Sequence, residues 1–128
     1  MAVTWERAHA QISDGVVKIG VLNDTSGPYA ALGGTGSRVA TLMAVEDFAA
    51  AAKGLAVEIV FADHQNKVEV GSSIARKWYE QDKVDVIVDV PTSSVALAVS
   101  QIARDKGKAL LVTGATSSDI TGKACSPN

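Results

Sequence analysis

The chain is 128 residues long, with 47% hydrophobic and 20% charged residues and a formal net charge of -2. That length and balance describe one globular domain able to bury a core, and they exclude a disordered chain and a disulfide scaffold. Lys and Arg are not clustered as a nucleic-acid surface would need, and the apolar stretches are broken within a few residues, so no nucleic-acid partner and no membrane span are expected.

Residues 1–10 (MAVTWERAHA) lack the apolar core of a working signal peptide, yet Ala8-His9-Ala10 has the small-x-small pattern of a cleavage site. Residues 1–14 are therefore expected to be a signal-peptide remnant or a disordered N-terminus, with the domain proper over 15–128. From there four runs rich in Val, Ile and Leu are predicted as strands: 16–22 (VVKIGVL), 57–62 (VEIVFA), 84–90 (VDVIVDV) and 109–113 (ALLVT). Near-continuous apolar runs of this length suit strands buried on both faces of a parallel sheet.

Helices are predicted between them. Over 37–53, Leu42, Val45, Phe48, Ala49 and Ala52 recur at helical spacing, and Gly54 follows as a stop signal. Over 68–82, Val70, Ile74 and Trp78 share a face with Tyr79 beside it. Over 94–106, Val95, Ala98, Val99, Ile102 and Ala103 form a stripe that Gly107 ends. The order β-α-β-α-β-α-β, with right-handed crossovers, predicts an α/β fold: a doubly wound, three-layer parallel sheet of strand order 2-1-3-4. Loop, with one helical turn, is expected after the last strand. A doubly wound domain that stops there lacks a closing helix, and the chain is expected to be part of something longer.

Ligands of open parallel sheets bind beyond the carboxyl ends of the strands. Three loops share that edge: residues 23–30 (NDTSGPYA), 91–94 (PTSS) and 114–118 (GATSS). The last two place small hydroxyl residues where helices are predicted to start. There they either cap the helix or, with its free N–H groups, hold an anion such as a carboxylate.

Catalytic patterns are poor. There is no G-x-S-x-G elbow, His9 lies in the tail, and His64 is expected to serve its loop or cap a helix. One Cys and two distant His make no metal site, and no cofactor is expected. Residues 33–36 (GGTG) are not followed by the Gly-Lys-Ser/Thr of a phosphate loop, and are expected to allow a tight entry into the first helix. Asp24 and Asp89 end strands as in a phosphate-accepting receiver domain, but Asn23 stands where a second acid is wanted and there is no fifth strand. Two readings of Cys125 stand: an inert thiol, or half of a bridge to a cysteine in a longer chain.

Residues 17–29 (VKIGVLNDTSGPY), 44–48 (AVEDF), 63–67 (DHQNK), 86–98 (VIVDVPTSSVALA) and 113–122 (TGATSSDITG), in this order, resemble type I periplasmic solute-binding proteins of ABC importers, those for branched-chain amino acids and aromatic acids. The resemblance runs from about Val16 to the end. It implies a non-enzymatic, periplasmic protein of two lobes, of which this chain is the first. Such a protein traps a small carboxylate and delivers it to an ABC permease. It further implies that Thr92 and Ser93 hold the ligand carboxylate, that Gly114 and Thr116 meet its amino or carboxyl group, and that Tyr29 lines the cleft. Without the second lobe, apolar surface is expected to be bare, with a homodimer through the exposed face as one outcome. The same fold also serves as the ligand-sensing domain of regulators and receptors, which is the alternative.

Overall fold

A computed structural model describes residues 12–49 and 53–127. The expectation for residues 1–10 and the inward placement of Ala52 lie outside the described residues. Strands β1 (Val16–Asn23), β2 (Ala56–Asp63), β3 (Val86–Asp89) and β4 (Ala109–Val112) alternate with helices α1 (Gly34–Phe48), α2 (Val68–Glu80) and α3 (Ser93–Lys106). All strand pairs are parallel, in the order β2-β1-β3-β4 that the alternation of elements predicts. Beyond β4 the chain makes turns, closed by bonds such as Ile120 N–H to Ser117 C=O at 3.2 Å.

The core lies on one face of the sheet. Leu22, Ile87 and Leu110, from three adjacent strands, pack beneath Ala75, Trp78 and Tyr79 of α2 and Val95, Val99, Ile102 and Ala103 of α3. The stripes read from the sequence for α2 and α3 therefore point inward, as amphipathic helices require. Two glycines permit the fit. A Cβ on Gly20 would lie 2.6 Å from the Trp78 ring, and one on Gly71 would lie 2.5 Å from Val95 Cγ1, where α2 meets α3. Tyr79 anchors the far edge: its hydroxyl donates to the Ala109 carbonyl at 2.8 Å, and burial pushes its pKa up. Gly107 closes α3 in the left-handed conformation, as its position predicts.

The first helix departs from expectation. It starts at Gly34 and ends at Phe48 rather than spanning 37–53. Its stop is not Gly54: Ala49 takes the left-handed cap with φ 50°, and the Lys53 ammonium donates to the Phe48 carbonyl at 2.9 Å. A lysine there satisfies an orphan carbonyl and complements the helix dipole. The side of α1 nearest the sheet is made of Gly34, Ser37, Thr41 and Val45, whereas Leu42, which the spacing placed inward, is 48% exposed and Phe48 is 51% exposed. Beside α1 an apolar groove runs over Val17, Ile19, Val57 and Val88, and Leu111 beyond it is 59% exposed. This second face of the sheet is only partly covered among the described residues.

Candidate functional site

The sheet's carboxyl edge is organised by buried polar groups from three strands. Asn23, the last residue of β1, is the hub. Its Nδ2 donates to the Asp89 carboxylate of β3 and to the Gly34 carbonyl, and its Oδ1 accepts the Asp24 N–H. Asp24 is fully buried, and its two carboxylate oxygens accept the N–H groups of Gly27 at 2.8 Å and Tyr29 at 3.0 Å. A carboxylate that takes two backbone donors fixes the loop that carries them. Gly27 is required there, because a Cβ would sit 2.5 Å from both Asp24 oxygens. The Ser26-Gly27-Pro28-Tyr29 loop is thus built around Asp24.

A second acid secures the same loop from β2. Asp63 Oδ1 accepts the Thr25 N–H at 3.1 Å and the Gln65 N–H at 2.8 Å. Burial raises its pKa, but bonds from the Ser26 hydroxyl, the Gln65 and Thr25 amides and the Thr25 hydroxyl outweigh this and bring it to about 2. His64 beside it is fully buried. Its Nδ1 accepts the Asn66 N–H at 3.0 Å, which leaves the proton of the neutral ring on Nε2, and Nε2 has no hydrogen-bond partner among the described residues. Burial lowers its pKa against the pull of Asp24, Asp63 and Asp89, so the ring is held neutral. Its carbonyl accepts the Lys67 N–H just before α2, which is the loop-and-cap duty expected of it.

An open cleft of about 500 Å³ lies over the ends of β1, β3 and β4. Tyr29, Leu32, Gly33 and Ser37 form one wall, Pro91 and Ser93 another, Gly114 and Thr116 a third, and Asp89 and Thr113 the floor. Four of the five residues singled out from the sequence, Tyr29, Ser93, Gly114 and Thr116, line this one space. The fifth, Thr92, lies behind it, 6% exposed, with its hydroxyl donating to Asn66 Oδ1 at 3.0 Å. Thr92 is the N-cap residue of α3, yet its side chain makes no capping bond. The helix start beside Ser93 therefore has no side-chain cap, and free N–H groups there favour an anion. The Gly114–Ser118 loop begins no helix, contrary to expectation; it is braced instead by the Thr116 N–H donating to Ser93 Oγ at 3.3 Å. Gly114 keeps the loops close, since a Cβ would stand 3.3 Å from Pro91 Cβ.

The floor was not read as part of this site from the sequence. Asp89 and Val90 both adopt left-handed backbone, with φ 83° and 51°. Two consecutive non-glycine residues in that region, one of them β-branched, store strain that surrounding structure must hold. It is held by the Val90 N–H to the Leu22 carbonyl at 3.0 Å and the Thr113 N–H to the Asp89 carbonyl at 3.1 Å. No glycine marks this turn, so the only signal was an acid at the end of a strand.

Among the described residues no group of three or more His, Cys, Asp or Glu is placed to hold a metal ion, and no helix is long and apolar enough to cross a membrane. A parallel sheet with a polar crevice at its switch point, lined by loops and a bare helix start, is the doubly wound arrangement whose ligands bind beyond the carboxyl ends of the strands. Residues 16–128 match the family model described as periplasmic binding protein, and the chain belongs to that family. It is 31% identical to the Leu/Ile/Val-binding protein homolog 3 of Brucella melitensis, over 95% of this chain and 33% of that protein. It is also similar to a branched-chain amino acid ABC transporter periplasmic ligand-binding protein from Burkholderia xenovorans, with TM-score 0.81 and 43% identity over 86% of this chain and 29% of that one. A solute-binding protein of an ABC transporter from R. palustris, in complex with benzoate, matches with TM-score 0.78 and 31% identity, over 89% of this chain and 31% of that one. The chain thus spans about a third of the length of these relatives. All three are described as binding proteins, two of them of ABC transporters, and none as an enzyme.

Proposed function

We propose that this lobe contributes the carboxylate-anchoring half of a periplasmic solute-binding site, in a protein that hands a branched-chain amino acid or an aromatic acid to an ABC permease for import. The observation that carries this is the convergence of Ser93, Gly114, Thr116 and Tyr29, from three loops, on one cleft beside the uncapped start of α3. The ligand's carboxylate sits against the α3 N–H groups and the hydroxyls of Ser93 and Thr116. Thr92 contributes through its backbone, because its hydroxyl is committed to Asn66. Tyr29 and Leu32 cover the apolar part. The relative named for Leu, Ile and Val, the one named for branched-chain amino acids and the one bound to benzoate support both ligand classes.

Replacing Ser93 by Ala together with Thr116 by Val tests this reading. Each hydroxyl bonded to a charged group contributes about 1.5–3 kcal/mol. The double variant is expected to bind leucine or benzoate at least about tenfold more weakly than the unaltered chain, by calorimetry. Circular dichroism is expected to show an intact fold. Equal affinity in a folded double variant contradicts the assignment.

A further inference from the structure

Asp89 is the one acidic side chain lining the cleft among the described residues, and it is 9% exposed. Its Oδ1 accepts the Thr113 hydroxyl at 2.6 Å and its Oδ2 accepts the Asn23 amide, so the group is clamped between the end of β1 and the residue that follows β4. An ionised carboxylate has about four acceptor sites. Two are filled, and the carboxylate keeps capacity for a further donor. The strained turn at Asp89 and Val90 holds this residue where the chain would otherwise prefer glycine.

The neighbourhood sets the polarity of whatever enters. Thr113 spends its proton on Asp89, so it offers the cleft no second donor. Leu32, Pro91 and Tyr29 supply apolar surface. A ligand carboxylate placed against Asp89 would meet a like charge with little water between them, which is costly. The anionic end is therefore confined to the Ser93–Thr116 side, where N–H and O–H groups face it.

Resting on the ligand reading above, we infer that Asp89 is a specificity-determining residue: it selects small acids that carry a hydrogen-bond donor, a hydroxyl or an ammonium group, at the end that reaches the cleft floor. Unsubstituted acids of the same shape leave the Asp89 acceptor unpaired on burial, and a site built to receive a donor rejects analogues that lack one.

Matched ligand pairs test this with the 128-residue chain. Binding of 4-hydroxybenzoate against benzoate, and of leucine against 4-methylpentanoate, is measured by NMR titration in the wild type and in Asp89→Asn. Asparagine keeps the shape and tolerates the left-handed backbone. The wild type is expected to prefer the donor-bearing member of at least one pair by about tenfold or more. In Asp89→Asn that ratio is expected to fall towards one, and in the wild type the Asp89 carboxyl carbon is expected to shift only with the donor-bearing ligand. A purely structural Asp89 would move neither the ratio nor that resonance. Equal affinities within both pairs, or a preference that survives Asp89→Asn, overturns the inference and leaves the ligand reading standing. Failure of all four acids to bind the wild type overturns the ligand reading and this inference with it. Should Asp89→Asn not fold, the wild-type ratios and carbon shift decide alone.

Discussion

Trp78→Ala is expected to cost about 3–5 kcal/mol of folding stability, the largest loss from any single substitution considered. The indole is 6% exposed, and its Cε3 and Cζ3 atoms stand where Gly20 of β1 has no side chain. Tyr79, the other large aromatic of α2, is held elsewhere by its bond to Ala109, and Gly20 offers no side chain to fill the space. Removing the ring leaves a cavity between α2 and β1, in the half of the core that is well covered among the described residues. A domain of this size is stabilised by about 5–15 kcal/mol in total, so the loss takes a large share. Urea unfolding followed by circular dichroism measures it. A loss below about 1 kcal/mol would mean that the helix collapses onto Gly20 and that the ring is not a keystone of the core.

Asp24→Ala is expected to cost about 2 kcal/mol, with its effect concentrated in the Tyr29 loop. The two oxygens of Asp24 receive the amides of Gly27 and Tyr29, and nothing else among the described residues is bonded to those amides. Alanine leaves both donors without their acceptor and frees the loop that places Tyr29 at the cleft wall. Amide exchange at Gly27 and Tyr29 is expected to accelerate much more than at Val95 or Val99 in the core. Uniform acceleration across the chain would show that Asp24 stabilises the whole lobe and does not set the loop.

These two residues also show what a sequence discloses. The parallel sheet and its order were legible because apolar runs at 16–22, 57–62, 84–90 and 109–113 are long enough for buried strands and too regularly spaced by helical stripes to be anything else. The stripes of α2 and α3 were legible for the same reason: Trp78, Val95, Val99 and Ile102 bury as their spacing says. For α1 the same rule misled. Its inner face is small and partly polar, through Gly34, Ser37 and Thr41, while Leu42, Met43 and Phe48 stay largely exposed, so of these counted apolar positions Val45 turns inward and Leu42 and Phe48 do not.

The cleft was legible in part. Loops at the carboxyl edge of a parallel sheet are forced together by topology, which is why Tyr29, Ser93, Gly114 and Thr116 meet. Side-chain direction was not legible. Whether Thr92 faces the cleft depends on Asn66, which reaches it from another loop. Asp89 gave an acid at a strand end and nothing more, since its left-handed backbone is imposed by bonds to Leu22 and Thr113 on the neighbouring strand and loop.

The central claim is that ligand anchoring groups converge beside the start of α3. Titration of the isotope-labelled 128-residue chain with leucine and with benzoate, up to about 20 mM, reveals affinities down to the millimolar range. Saturable shifts centred on the amides of Ser93, Gly114, Thr116 and Tyr29 are the predicted result. Shifts centred on the apolar groove beside α1, around Val17 and Val57, or nowhere at all, would contradict it.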